Sequence, residues 1–481
     1  MTGRAYVAGP CRYPDGVIPP RLEPLLREGA APVDLARRFG EAGHRLYLVG
    51  GSVRDAILGR FDDEMDIDLA TDARPEAIKQ LVRPWAHDVF LMGEAFGTVG
   101  AVRDGVVYEI TTFRAEVYRD ESRKPIVEFA TDIETDLSRR DFTVNAMALE
   151  LPHSPDAKPE MIDPHGGLSD LAAEVLRTPL DPSIAFGDDP LRMLRLFRFV
   201  STLGFEPDPD AVASVEGMRA RLAIVSAERI RDEFDKLMVG ARVGAALWGL
   251  VETGLAEEFL PELAGLRLEQ DPLHRHKDVL AHSIAVVEKA SPDLDLRLAA
   301  LFHDIGKPAT REFDEDGVSF HHHEVVGSRL TRERMKRLRY PRGRIDDVAR
   351  LVFLHMRPHT YKMGWTDSAV RRYVRDAGPM LDKLNELVRC DVTTRSEKRA
   401  REIERRIDEL EERIVELRER EELDALRPPI DGHQVISYLG LEPGPIVGDI
   451  MKLLYEHRID HGPYGEDEAF ALLDEWREGH S

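Results

Sequence analysis

The chain has 481 residues, long for one hydrophobic core, so two or more domains are expected. At 42% hydrophobic composition no stretch holds the roughly 18 uninterrupted apolar residues of a membrane helix, and the N-terminal region carries no secretory apolar segment. The two cysteines, Cys11 and Cys390, are too few for a disulfide framework, which points to a reducing cytoplasm. A formal charge of −23 argues against coating DNA, or any nucleic acid, through broad positive surface, so neither DNA nor a membrane is expected as a partner.

Residues 1–31 read as a flexible tail, because Pro19, Pro20, Pro24 and Pro32 interrupt a long helix; regular structure is expected from Val33. Over residues 32–152, β-rich runs at 46–49, 65–69, 98–102 and 106–113 mix with helical patterns, an α+β head with a small mixed sheet. A proline-containing connection follows at 151–160, after which the apolar spacing is helical almost to the end. Within that part, 395–422 alternates Glu and Arg, with Ile403, Ile407, Leu410, Ile414 and Leu417 three or four apart. This is a long amphipathic helix, expected to pack on its own domain, with a coiled-coil dimer as the alternative; the oligomeric state is left open. The cations Arg332, Arg334, Lys336, Arg337, Arg339 and Arg342 form either a solvated helix face or an RNA backbone track.

The segment Leu48-Val49-Gly50-Gly51-Ser52-Val53-Arg54-Asp55 carries a strand into a glycine pair and a helix out of it. The glycines let a triphosphate approach the backbone, Ser52 at the helix start turns unpaired amides toward the anion, and Arg54 adds charge. Side chains alternate along a strand, so Asp66 and Asp68 project together and can grip two divalent ions about 4 Å apart, as two-metal phosphoryl transfer requires. A lone D-x-D pair is more often a solvated strand edge, and it is the preceding Gly-Gly-Ser that lifts this one above that reading. Glu109 is the natural third carboxylate, with Asp141 competing.

These segments resemble the class II tRNA nucleotidyltransferases and the related bacterial poly(A) polymerases of the polymerase β superfamily. The resemblance implies a nucleotidyltransferase head, Mg2+ at Asp66 and Asp68, CTP and ATP as substrates, and tRNA as the acceptor. Arg139-Arg140-Asp141-Phe142-Thr143-Val144-Asn145 resembles the family's ribose-reading motif, which implies nucleotide-binding roles for Arg139, Arg140, Asp141 and Asn145. Asp163-Pro164-His165-Gly166-Gly167 resembles its hinge. Asp188-Asp189-Pro190-Leu191-Arg192 resembles the acidic-acidic-x-x-Arg protein template, with Asp188 where Glu is common; Arg195 is carried over with it. On a helix Asp189 and Arg192 would share a face, and a carboxylate beside a guanidinium matches the amino donor and ring acceptor of C and A but not U or G. Ser226-Ala227-Glu228-Arg229-Ile230 resembles the helix behind the template, with Glu228 and Arg229 structural.

Residues 115–125 resemble the flexible loop kept by enzymes that add the terminal A. The stretch 91–98 lacks the basic pair usual in poly(A) polymerases, which are the rival within the class, together with an A-adding-only enzyme. Rivals from other classes are a uridylylating regulatory enzyme and a phosphohydrolase with an RNA-binding head.

A second constellation comprises His282, His303-Asp304, the His321-His322-His323 run, His355 and Asp391. Imidazole and carboxylate ligands suit a divalent metal. The pattern resembles the HD superfamily of metal-dependent phosphohydrolases, which implies one metal (Mg, Mn, Ni or Fe) on His282, His303, Asp304 and Asp391. His323 and His355 would complete a second site or bind phosphate, and which member of the run points inward stays open. Phosphoester hydrolysis, with cyclic 2′,3′-phosphate ends as a fitting substrate, stands beside a purely structural metal. His274, His276 and His359 read as surface or supporting residues. The expected layout is head 32–152, all-α neck 153–265, HD domain 266–395 and helical C-terminal region 396–481.

Overall fold

The computed structural model describes residues 18–60, 66–92, 97–117, 126–154, 156–268, 278–314, 317–360, 365–392, 397–421 and 426–480. Residues 118–125 of the loop expected at 115–125 and residues 93–96 of the stretch 91–98 fall outside the described residues, as do His274 and His276. The chain forms two compact units, one ending at Phe259 and the other starting at Leu260. Among the described residues no helix is long and apolar enough to cross a membrane.

The first unit is built on a sheet whose strands are Leu46–Val49 (β1), Ile67–Thr71 (β2), Asp88–Met92 (β3), Thr98–Arg103 (β4) and Val106–Thr112 (β5). After the hairpin Arg114–Val117 (β6) and Ile126–Phe129 (β7), Ala148–Glu150 (β8) and Glu160–Ile162 (β9) complete it. The spatial order is β3-β4-β5-β2-β1-β8-β9. Only the β2–β5 pair is parallel within this sheet, so the small mixed sheet of the expectation is what forms. Every residue of β1 is buried, as a central strand covered on both faces requires. Beyond β5 one face is closed by the Pro75–Val82 helix, over the buried Val99, Ala101, Tyr108 and Ile110. There Trp85 meets Tyr108 edge-on at 4.9 Å between ring centroids. The opposite face carries Asp68 and Glu109 and stays half-exposed.

Strand β2 starts at Ile67, so Asp66 stands one residue before it rather than inside a 65–69 strand. The tail expectation fails for 18–30. Pro20–Leu22 and Glu23–Leu26 are helical turns, Leu22 is fully buried, and Arg21 donates to the Ile57 carbonyl at 3.1 Å. Prolines at the first positions of these turns and of the Ala31–Glu41 helix start helices rather than breaking them.

After β9 the unit is mainly helical. Pro182–Asp188, Leu191–Leu203 and Ala227–Met238 carry the residues that face the head. The last of these is capped by Ser226, whose side chain accepts from the Arg229 amide.

The second unit is helical apart from the Arg311–Asp314 and Gly317–Phe320 hairpin, which the sequence pattern does not announce. The Glu397–Glu421 helix buries Ile407, Leu410, Ile414 and Leu417 and packs on the Asp367–Ala377 helix. Its apolar stripe is therefore taken up within the chain. At its end Glu421 is buried against Arg371, with hydrogen bonds of 2.7 and 3.0 Å. Part of the basic run is likewise engaged: Arg334 binds Glu262 at 2.8 and 3.0 Å, Arg332 pairs with Asp346, and Arg342 lies 3.8 Å from the same carboxylate.

Candidate active site and metal centre

The chain turns out of β1 at Gly50, whose φ of 65° suits glycine; a Cβ there would lie 2.6 Å from Arg140 Nη1 and 3.8 Å from Asp68 Oδ2. Gly50 thus lets a guanidinium and the catalytic-strand carboxylate close over one patch of backbone. Beside it Asp68 pairs in register with Glu109 on β5. Burial raises the pKa of Asp68, Arg140 opposes that, and Asp66 adds to it; Glu109 is raised by burial and then by Asp68 and Asp66. Three acids that repel one another at a half-open surface are a donor set suited to divalent cations. Asp141, the competing third carboxylate, is buried elsewhere in the site: it accepts from Arg195 Nε at 2.9 Å and Asn145 Nδ2 at 2.9 Å. Burial opposes its ionisation, yet Arg195 holds its pKa well below the carboxylate range.

The buried Ser52 hydroxyl accepts from the Asp68 amide at 2.9 Å and donates to the Asp66 carbonyl at 3.4 Å, clamping the acidic strand to the helix. Arg54 is not a free charge: it donates to Asp55 at 2.9 and 2.6 Å and to Asn145 at 2.5 Å, over the Phe199 ring. Arg140 remains aimed at the glycine turn, anchored through Asp136 at 3.1 Å.

Asp136 was not singled out by motif reading. It is 1% exposed and also accepts from Arg139 Nη2 at 2.8 Å and the Arg114 amide at 3.1 Å. Its spacing of three and four from Arg139 and Arg140 on a helical pattern was the available signal. Glu233, on the helix that follows Ser226, accepts from Arg195 at 3.2 Å and forms an ion pair with Arg198 at 3.0 Å.

The template residues do not share a helix. Asp189 has extended backbone (φ −135°, ψ 100°) at the break between Pro182–Asp188 and Leu191–Leu203, because Pro190 disfavours helix in the residue before it. Asp188 closes the first of these helices. The Asp189 carboxylate accepts from the Leu191 amide at 3.2 Å and from Arg229 at 2.9 Å. Arg192, in the first turn of the second helix, is buried and donates to the Ala185 carbonyl at 3.2 Å and to the Arg139 carbonyl. Through Arg192 and Arg195 this helix is bound to both ends of the Arg139–Asp141 segment, joining head and template into one site. The hinge-like Asp163 accepts from the Gly167 and Leu168 amides at 2.6 and 2.9 Å.

In the second unit, His282, His303 and Asp304 offer ligand atoms within 4.8 Å of one another, and so do Asp304, His323 and His355. Asp391 joins the first group at 2.9 Å from His282 Nε2. His323 is the inward member of its run; His321 and His322 are exposed, and a left-handed φ of 60° at His322 turns the chain into the His323–Arg337 helix. Nδ1 of His303, His323 and His355 meets the carbonyls of Ala300, Phe320 and Val352 at 2.7, 2.9 and 2.6 Å, which leaves Nε2 as the ligand atom. Burial pushes the His355 pKa down to about 3, so a neutral ring is available as a metal ligand. Asp304 is common to both groups and also accepts from Lys307 at 2.5 Å. Each of the two groups is a donor set that would suit a divalent ion, and Asp304 belongs to both.

A mixed sheet with three acids beside a glycine turn defines a nucleotidyltransferase head, here followed by a His/Asp metal centre. Comparison with known proteins agrees. The chain matches the Poly A polymerase head domain over residues 46–177, the "Probable RNA and SrmB- binding site of polymerase A" over 204–266, and the HD domain over 279–417. It is 33% identical over 446 residues to the A-adding tRNA nucleotidyltransferase of Deinococcus radiodurans, covering 90% of this chain and 95% of that protein. It is 43% identical over 232 residues to the CCA-adding enzyme of Bacillus licheniformis, a match spanning 48% of this chain and 55% of the relative. In fold it resembles the Bacillus stearothermophilus CCA-adding enzyme solved with CTP (TM-score 0.69, 24% identity, 96% and 99% of the two chains). The Thermotoga maritima CCA-adding enzyme complexed with tRNA shares the fold at TM-score 0.55 and 17% identity, over 95% of each chain. The chain belongs to the tRNA nucleotidyltransferase family, and it is an RNA nucleotidyltransferase with an HD domain behind its catalytic head.

Proposed function

We propose that the protein adds C, C and A in turn to the 3′ ends of tRNA from CTP and ATP, releasing pyrophosphate, in the cytoplasm. The carrying observation is the register of Asp68 with Glu109 next to the Gly50 turn, in a unit that also holds Asp189 and Arg192. The relative with 43% identity is named a CCA-adding enzyme.

Asp66, Asp68 and Glu109 would hold Mg2+, which when bound supplies charge neutralisation for the attacking 3′-oxygen and the departing pyrophosphate. The remaining work falls to this chain. Arg140 reaches over the Gly50 turn toward the triphosphate, and Asp136 fixes its direction. Asp141, held by Arg195 and by the Asn145 amide that Arg54 in turn fixes, faces the ribose as a rigid acceptor. Asp189 accepts from the exocyclic amino group of C or A, and Arg192 donates to the ring nitrogen beside it. To do so both exchange their present partners, Arg229 on one side and the Ala185 and Arg139 carbonyls on the other. U and G offer the reverse pattern and leave buried groups unpaired. His282, His303, Asp304, Asp391, His323 and His355 would hold Mg, Mn, Ni or Fe ions for phosphoester hydrolysis as a side activity.

The test is incubation with a tRNA transcript ending before CCA, with each nucleotide alone and then CTP plus ATP, and sequencing of the new ends. Two C from CTP alone and one further A on adding ATP support the proposal. A alone, added only to ends already carrying CC, gives the A-adding activity of the Deinococcus relative, and a long A tail gives a poly(A) polymerase.

A further inference from the structure

In-line displacement puts the attacking hydroxyl opposite the leaving pyrophosphate. In this sheet the two sides are distinguishable. The Gly50 turn and Arg140 lie on the β1 side of Asp68, whereas Glu109 flanks Asp68 on the β5 side. With the triphosphate on the β1 side, the RNA strand must arrive across β5 and β4 toward the edge strand β3.

The register says what it meets there. Asp68 pairs with Glu109, Glu109 with Gly100, and Gly100 with Phe90, so these four stand in one row across β2, β5, β4 and β3, on the same face. At strand spacing, Phe90 begins about 14 Å from Asp68, two or three nucleotides away. Its ring comes closer than that. A Cβ on Gly100 would lie 2.5 Å from two ring carbons of Phe90, so the ring leans across β4 toward the acids, and only glycine there allows it. Phe90 is 37% exposed, while Tyr47 and Tyr108 of the same sheet, and Trp85 and Phe113 beside it, are buried. In the next row Thr98 and Thr111 share a hydrogen bond of 2.9 Å, and Arg114 Nη2 donates to Thr98 at 2.8 Å, which brings a cation to the same face. A single exposed phenylalanine is ordinarily unremarked surface. A ring laid over a glycine, in line with the catalytic acids and on the side from which the primer must come, is a stacking surface.

We propose that Phe90, seated on Gly100, stacks a base of the RNA strand just behind its reacting 3′ end. Stacking on a ring face tolerates any base, which suits a site that must hold successive primer ends as the terminus grows. The inference rests on the nucleotidyl-transfer reading above.

The test measures KM for the tRNA transcript ending before CCA and KM for CTP separately, in wild type, Phe90→Ala, Phe90→Leu and Phe90→Trp. Phe90→Ala and Phe90→Leu are expected to raise the tRNA KM roughly 5- to 150-fold, with the KM for CTP changed less than about twofold and Phe90→Trp near wild type. Transcripts with an abasic residue at each of the last three positions locate the stacked base: at that position the abasic change and Phe90→Ala should not add. An unchanged tRNA KM in Phe90→Ala, a parallel rise for CTP, or full activity in Phe90→Leu overturns the stacking role. Wild type adding nothing to any RNA sinks the functional reading as well, whereas normal CCA addition with an indifferent Phe90→Ala sinks only this inference.

Discussion

Asp68, proposed above to hold Mg2+, sits where its charge comes at the expense of stability. Burial, and then Asp66, keep its proton on to higher pH than in an unfolded chain, although Arg140 pulls the other way. Between the ordinary and the raised pKa the native state binds more protons than the unfolded one, so without cations stability declines as pH rises through that window. Asp68→Asn is therefore expected to raise Tm at neutral pH without Mg2+, and to lose that advantage in acid, where wild-type Asp68 is itself protonated. Thermal melts across pH check this, and a neutral-pH Tm below wild type would contradict it. The Gly-Gly turn and the nearby acidic pair were legible as local patterns, although Asp66 stands one residue before β2 rather than on it. The partners of Ser52 and Arg54 were not, because the Asp68 amide and Asn145 reach them from 16 and 91 residues away.

At the scale of elements, the proposed template lies at a break between helices rather than on a helix face. Pro190 forces Asp189 out of helical conformation, and the freed carboxylate reaches Arg229 on a separate helix. Spacing alone suggests an i to i+3 pair, whereas Pro190 disfavours helix at the residue before it. Asp189→Ala should cost about 5- to 150-fold in discrimination of C over U, the range of a two-point base contact, while triphosphate binding persists. Arg229→Ala should move it only a few-fold, since that pair is largely exposed and such pairs are worth ~0.2–1 kcal/mol. Misincorporation assays with each nucleotide measure both; unchanged selectivity in Asp189→Ala would remove the template from the account. The Glu397–Glu421 helix, by contrast, was readable as an element, and only its partner required the structure: Ile407, Leu410, Ile414 and Leu417 are buried within the second unit.

For the whole molecule, the mixed head followed by helices was legible from the change of apolar period after residue 150, and the two metal-binding constellations from their residue types. Less legible were the parts set by remote pairing: the parallel β2–β5 contact that brings Glu109 to Asp68, and the sharing of Asp304 between two ligand groups. The two constellations lie in separate compact units, so each should fail alone. The most direct measurement is incorporation of labelled CTP into tRNA ending before CCA by Asp68→Asn, Glu109→Gln and Asp304→Ala proteins, with bound metal counted in each. Loss of several kcal/mol of charge stabilisation predicts a fall of roughly 10³-fold or more for Asp68→Asn and a marked fall for Glu109→Gln. Asp304→Ala should keep near-normal incorporation while losing the metal of the second unit. Full incorporation by Asp68→Asn, or its abolition in a folded Asp304→Ala protein, would contradict the account.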